Sequence, residues 1–309
     1  MTAEPLVQVS HLHKQFADFK AVNDLSFTVY RGDIYGFLGQ NGAGKSTTIR
    51  MLLGLIQPSS GEINMFGYRM PQHKKDVLRQ IGAIIERPDL YMYLSAYDNL
   101  EMMARLSGLK PTRQMLMDQL DKVGLAARAH SKVKTFSQGM KQRLGIAIAM
   151  VHNPQLIILD EPTNGLDPQG IADMRHMIIN LRKEHQKTVI VSSHLLNEIE
   201  QVATRMIIID KGRKVIEGST SELFDPANTL VELQTSDADA VGKIRSSPWA
   251  TRLQPADSAS PHTLLFRIYA ADIPALAKDL VAMDIPISNL SKRHSLESLF
   301  LQLTIHPSS

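Results

Sequence analysis

Up to residue 68 the apolar positions fall into short alternating runs, "LVQVSHL", "LSFTVY", "IYGFLG" and "EINMFG", separated by Gly and Pro. A two-residue period bounded by turn formers predicts strands. One helix interrupts them at about 44–54. From about 94 to 153 the helical period takes over. There "SAYDNLEMMARLSGL" sets apolar residues at helical spacing behind Ser95 and Asp98, a capping-box arrangement. Two more helices follow, at about 111–123 and 138–152. All-apolar runs then return as "LIILD", "TVIVSS" and "MIIID", each followed by a helix or a turn, which suits a buried parallel sheet. Beyond "GSTSELFD" the texture changes. Residues 236–262 are rich in Ser, Ala, Asp and Pro, then come "TLLFRIY", a helix at about 272–283 and a short amphipathic "SLESLFLQL". The expected architecture is α/β: one unit over 1–227 with a helical insert at about 87–155, and a small α/β appendage over 228–309.

Composition narrows the partners. A chain of 309 residues, 43% of them hydrophobic, suits about two globular domains. The 34 Lys and Arg against 31 Asp and Glu leave a net charge of +3, too little for a nucleic-acid binder, and "HKKDVLRQ" at 73–80 reads as a solvated helix face. There is no Cys, which excludes disulfides and thiolate metal sites. "MTAEPLVQVS" lacks a basic segment followed by an apolar one, so no secretory signal is expected and the cytosol is the expected compartment. Runs such as "IAIAMV" and "LIIL" fall far short of the roughly 20 residues that span a bilayer, so membrane work would pass through a partner.

Chemistry concentrates in three places. "GFLGQNGAGKSTT" holds the pattern G-x-x-x-x-G-K-S/T between the strand "IYGFL" and the helix "TTIRMLL". Its residues Gly39, Gln40, Asn41, Gly42, Ala43, Gly44, Lys45, Ser46 and Thr47 suit a triphosphate. Glycines let backbone N–H groups wrap the β-phosphate, Lys45 neutralises the β/γ charge, and the Ser46 hydroxyl ligates Mg2+. "LIILDE" ends a buried strand on Asp160 and Glu161, where open α/β sheets bind ligands. One carboxylate can hold the Mg2+ hydration shell and the next can polarise water, although "DEPT" could equally begin a helix with a cap. His194 ends the strand "TVIVSSH", as a loop residue or as a group within reach of a γ-phosphate. Finally, Ser137 and Gly139 in "TFSQGMKQR" stand where a helix begins, which fits an ordinary N-cap and equally an anion site at the positive end of the helix dipole.

Taken in order, these motifs resemble the nucleotide-binding subunit of an ATP-binding-cassette (ABC) transporter over residues 6 to about 225. The resemblance implies a P-loop NTPase core with an antiparallel β subdomain and a helical insert. It makes Gly39–Ser46 the Walker A loop, "LIILDE" the Walker B strand, "NGLD" with Asp167 the D-loop and His194 the switch histidine. Phe16 in "LHKQFADF" falls where the family stacks adenine, although an aromatic beside a strand also suits a core. Two departures stand out. The family's signature L-S-G-G-Q reads "FSQGM" here, keeping Ser137 and Gly139 but placing Phe136, Gln138 and Met140 at its first, third and fifth positions. The loop that usually carries Gln supplies Glu86 in "IGAIIERPDLY", which keeps an oxygen for Mg2+ or water and loses the amide donor. Glu at that position resembles the bacitracin and lantibiotic-resistance branch of exporter ATPases.

The resemblance further implies ATP and Mg2+ as ligands, with ATP sandwiched between one subunit's Walker A and the other's signature. A homodimer or a paired ABC subunit is then needed, working on transmembrane permease subunits from the cytoplasmic face of the cell membrane, with no nucleic acid expected. Glu161 would orient the attacking water, with His194 and Lys45 stabilising the γ-phosphate. Two other classes share the cassette. A soluble ABC protein of ribosomes or DNA would carry a second cassette or a long coiled coil, and the interval from Lys45 to Ser137 has room only for a compact insert. A non-hydrolysing regulatory cassette would have no use for Glu161 and His194. The tail "SLESLFLQLT" resembles that of exporter ATPases.

Overall fold

The computed structural model describes residues 4–224, 229–254 and 263–293. The chain divides into two units, 1–218 and 219–309, the change falling a little before the shift in composition. In the first, β1 (Pro5–Phe16), β2 (Phe19–Tyr30), β4 (Ser60–Met65) and β5 (Tyr68–Arg69) form an antiparallel sheet in the order β2-β1-β4-β5. A second sheet holds β3 (Ile34–Leu38), β6 (Ile81–Ile85), β7 (Leu156–Asp160), β8 (Thr188–Ser193), β9 (Arg205–Asp210) and β10 (Arg213–Ser219) in the order β10-β9-β3-β8-β7-β6. Its strands from β9 to β6 run parallel. β3, β7 and β8 are buried along their whole length, which is why their sequences are apolar without alternation. One hydrophobic core joins the two sheets, with Leu6, Phe27, Tyr35, Phe37, Ile49, Ile158 and Ile207 in it.

Helices α1 (Lys45–Leu52), α2 (Lys74–Leu78), α6 (Pro168–Lys183) and α7 (Leu196–Glu200) connect the strands. Between β6 and β7 lies the insert, with α3 (Ala96–Leu106), α4 (Arg113–Asp121) and α5 (Gln138–Met150). α3 begins with the capping box read from sequence: Ser95 Oγ accepts from the Asp98 N–H at 3.1 Å, and Asp98 accepts in return from the Ser95 N–H at 3.2 Å. Buried Asn99 fixes the loop before α3. Its amide donates to the Tyr91 and Ser95 carbonyls at 3.0 and 2.8 Å, and its oxygen accepts from the Tyr91 N–H at 2.8 Å. α5 lies against β6 and the segment after it, where a Cβ on Gly145 would stand 2.6 Å from Pro88.

The second unit contains α8 (Thr220–Leu223), the antiparallel strands β11 (Thr229–Gln234), β12 (Thr263–Ile268) and β13 (Asn289–Arg293), and helices α9 (Ala240–Arg245) and α10 (Ile273–Ala282). Val231, Leu233, Ile244, Phe266, Leu276 and Leu280 make its own core. The amphipathic run "SLESLFLQL" lies outside the described residues.

Candidate nucleotide site

Parallel register brings the site together. Leu38 at the end of β3 pairs with Ser193 of β8 and with Ile208 of β9, and Asp160 at the end of β7 pairs with Ile85 of β6. The residues that follow, Gly39, His194, Glu161 and Glu86, therefore leave one edge of the sheet. That is the edge at which open α/β sheets hold ligands.

The loop Gly39–Gly44 has glycine at both ends for steric reasons. A Cβ on Gly39 would stand 2.5 Å from the Ile209 carbonyl oxygen. Gly44 has φ 105°, and a Cβ there would stand 2.6 Å from the Ala21 oxygen. The crest, Asn41 and Gly42, is exposed, whereas Ala43 and Gly44 are buried and Gln40, Ser46 and Thr47 lie between these extremes. Lys45 heads α1 and is 5% exposed. Its Nζ donates to the Gly39 carbonyl at 2.7 Å and the Gln40 carbonyl at 3.3 Å, and lies 3.0 Å from Glu161 Oε1. An ammonium this buried needs such partners.

Glu161 ties the strand ends. Its residue has φ 50°, a left-handed conformation that costs a non-glycine residue about 1 kcal/mol or more and is typical of functional turns. The Glu161 N–H donates to Ser192 Oγ at 2.9 Å, and that hydroxyl donates to Asp160 Oδ1 at 2.6 Å. On the side chain, Oε1 faces Lys45 and Oε2 accepts from His194 Nδ1 at 2.8 Å. Lys45, Glu161 and His194 thus form one chain of charge-assisted contacts. Asp160 is fully buried, and its Oδ2 has no hydrogen-bond partner. A carboxylate oxygen orphaned at a sheet edge is an uncompensated charge that a cation would satisfy.

Glu86 also has a positive φ, 59°, but turns away from this cluster: its Oε1 accepts from Arg50 Nη2 of α1 at 2.7 Å. The extra charge at this position is therefore offset within the chain, by a residue that sequence reading passed over. Phe16 is not a core aromatic. It is 45% exposed at the end of β1, with Lys14 Nζ 4.8 Å from the ring centre.

Ser137, Gln138, Gly139 and Asp167 belong to a different surface. They line a cavity of about 370 Å³ together with Gly165, Leu166 and Arg143, and none of residues 39–47 lines it. Ser137 caps α5 by accepting from the Met140 N–H at 3.2 Å, and Asp167 caps α6 by accepting from the Gly170 N–H at 3.0 Å. A Cβ on Gly139 would meet no atom within 4 Å. The motif residues thus fall into two groups. One is closed around Lys45 and the other is open.

Sequence reading also missed Ser192 and Glu198. Ser192 had a signal: on a strand that ends at His194, period two puts residue 192 on the histidine's side. Glu198, on a five-residue helix, had none. Its Oε2 accepts from Thr163 Oγ1 at 2.8 Å and from Ser193 Oγ at 2.7 Å, and these partners come from two different strand ends.

A glycine-lined loop opening a helix, with a buried lysine and a strand-end acid pair, defines a P-loop nucleoside triphosphatase. Comparisons give the family. The ABC transporter profile matches residues 22–164. The chain is 47% identical to the bacitracin transport ATP-binding protein BcrA of Bacillus licheniformis over 75% of its own length and 76% of that protein's. It is 38% identical to the uncharacterized ABC transporter ATP-binding protein YhcH of Bacillus subtilis (strain 168), over 97% of this chain and 96% of that one. The solved structure of an ATP-binding subunit of an ABC transporter superposes with a TM-score of 0.62 at 32% identity, covering 71% of this chain and 91% of the other. The chain belongs to the ATP-binding subunits of ABC transporters, and its reaction is ATP hydrolysis coupled to transport.

Proposed function

We propose that two copies of this chain close head to tail over two ATP molecules on the cytoplasmic face of the membrane, and that the closure drives a permease exporting a peptide antibiotic. The observation that carries the dimer is the division of the site. The Ser137–Gly139 helix start is capped, with Ser137 exposed and Gln138 and Gly139 half-buried, a cavity lies beside it, and the chain's own phosphate loop does not line that cavity. A helix N-terminus that faces no phosphate of its own chain is completed by another copy, most economically through two-fold symmetry. Among the described residues no helix is long and apolar enough to cross a membrane, so the transmembrane path comes from a partner. The peptide-antibiotic cargo rests on likeness to the bacitracin protein.

Within each site, the cluster around Lys45 marks the resting arrangement. The phosphates of ATP take the place of Glu161 and the loop carbonyls as the lysine's partners, and Glu161 is then free to orient water. A neutral His194 that gives its Nδ1 proton to Glu161 offers only a lone pair at Nε2. It becomes a donor to a phosphate oxygen once its Nδ1–H lets go of Glu161. Ser46 and Asp160, with its orphaned Oδ2, would hold Mg2+, which neutralises developing phosphate charge when bound. Glu86 stands at the insert's junction with the core, held by Arg50, and its carboxylate would supply an oxygen to Mg2+ or to water beside it.

The test is Glu161→Gln in the presence of ATP and Mg2+. A stable dimer by light scattering with turnover reduced at least about 10²-fold is expected; a monomer, or full turnover, overturns the reading. Affinity purification from detergent-solubilised membranes should retain a permease, and loss of the chain should raise sensitivity to bacitracin.

A further inference from the structure

Glu198 lies outside every motif, yet it joins the two segments that carry the hydrolytic groups. One oxygen, Oε2, accepts from the Thr163 hydroxyl at 2.8 Å and the Ser193 hydroxyl at 2.7 Å. Thr163 stands two residues after Glu161, on the segment that runs on to Asp167, and Ser193 immediately precedes His194. Ser193 Oγ in turn accepts from the Leu195 N–H at 3.0 Å, so the residues on both sides of His194 are held by one hydroxyl. Ile199, next to Glu198, is buried, and a Cβ on Gly36 of β3 would overlap its side chain, so the short helix cannot drift from the sheet. The carboxylate therefore sits on a fixed support.

We propose that Glu198 is a positioning residue for ATP hydrolysis: it clamps the segment after Glu161 to the segment before His194, so that the water-orienting acid and the phosphate-facing histidine keep one geometry. This rests on the roles given above to Glu161 and His194. The physical basis is directional. A carboxylate is an acceptor only, and two hydroxyl donors from different strand ends converge on the same oxygen, fixing their separation. Without it the two hydroxyls lose a common partner, and the segments are left with the Ser192 bonds and the direct Glu161–His194 contact, for whose side chains ATP competes. Misplacement of an ångström is costly at a reacting centre, whereas binding of ATP at the loop 39–46 does not pass through Glu198.

The full-length chain is compared as wild type, Glu198→Ala, Glu198→Gln and Glu161→Gln, with ATP turnover, KM for ATP and Tm measured on each. Expected for Glu198→Ala is a fall in kcat of about tenfold or more with KM within about twofold. Glu198→Gln, whose amide oxygen still accepts from hydroxyls, should recover most of that loss. A kcat unchanged in Glu198→Ala, or an equal loss in both variants that tracks Tm, overturns the proposal. If Glu198→Ala fails to fold, Thr163→Val and Ser193→Ala remove the two donors one at a time. Each should lower kcat, and the two together should lose little more than either alone, since one loss already opens the clamp; additive losses count against it. Should Glu161→Gln keep turnover, the assignment of the site itself fails and takes the clamp with it. Should Glu161→Gln abolish turnover while Glu198→Ala and both hydroxyl variants do not affect it, the clamp alone is wrong.

Discussion

The phosphate loop and the tip of α5 hold the same two ingredients, glycine and a helix N-terminus, under opposite steric rules. At the loop a Cβ on Gly39 would press into the Ile209 carbonyl, and Lys45 already donates to the Gly39 and Gln40 carbonyls and pairs with Glu161. At the tip a Cβ on Gly139 would meet no described atom within 4 Å, and the Ser137 hydroxyl caps the first turn of α5. Glycine in the first case is required by this chain's own packing. In the second, no atom of the chain lies close enough to require it, and under the proposed dimer the requirement would come from the second copy. Half of the site is thus packed within the monomer, and the proposed dimer would complete the other half by contact.

The comparison breaks most sharply under paired alanine substitutions. Gly139→Ala should lower ATP turnover by about 10²-fold by pushing a γ-phosphate away from backbone donors. The isolated chain should meanwhile keep its Tm or gain slightly, since Ala favours a helix by about 1 kcal/mol over Gly. Gly39→Ala should do the reverse to the monomer, costing about 1–3 kcal/mol through overpacking against backbone that has no room to move. Thermal melts of the nucleotide-free proteins beside turnover assays separate the two. A Gly139→Ala protein as unstable as Gly39→Ala would show that the tip is packed in the monomer after all.

Ser137→Ala addresses the double role of the cap. Loss of the bond to the Met140 N–H should cost about 1 kcal/mol in the monomer, a fall of a few degrees in Tm. If the hydroxyl also meets the partner's phosphate, kcat should fall about tenfold or more, beyond what such a cap loss explains. Ser137→Thr, which caps nearly as well, should restore the Tm.

Why one half is easier to read than the other follows from distance along the chain. The loop 39–46, the acids 160 and 161 and His194 are each local motifs that end apolar strands, so alternation and run length are enough to place them. The helices are legible for the same reason: the spacing that predicts 138–152 and 111–123 corresponds to α5 at Gln138–Met150 and α4 at Arg113–Asp121. What stays hidden are contacts between segments remote in sequence. Arg50 answers Glu86 from 36 residues away, and Thr163 meets Glu198 from 35. α7 has five residues, too few for a period to show, and Glu198 is hidden with it.

Glu86→Gln probes the boundary between the two halves, since residue 86 leaves the sheet edge and leads into the insert. The Arg50 pair is exposed, so its removal should change stability by less than about 1 kcal/mol. A severalfold drop in permease-coupled turnover at nearly constant Tm would place the carboxylate in coupling; unchanged ATPase and transport would refute that role.

The smallest effect concerns the rear of α5. His152, just past the helix, has its Nε2 3.1 Å from the Ile81 carbonyl of β6, while its Nδ1 is buried with no partner. That oxygen can only accept, so the ring carries its proton on Nε2 and a lone pair on Nδ1. Burial, opposed by the bond to Ile81 and reinforced by the charge of Lys187, holds the imidazole below the ordinary histidine value. The folded chain therefore binds fewer protons than the unfolded chain below about pH 6.5, and the stability contributed by the neutral ring is lost as pH falls through that range. His152→Gln, whose amide can still donate to Ile81, should flatten the decline in Tm between about pH 7 and pH 5. His185, also lowered by burial and by Lys122, would carry part of what remains. Because His152 anchors the end of α5 remote from Ser137, this variant should leave turnover at neutral pH untouched. If turnover changed with it, the tip would be responding to the helix's rear anchor and could not be treated as a surface finished by the partner alone.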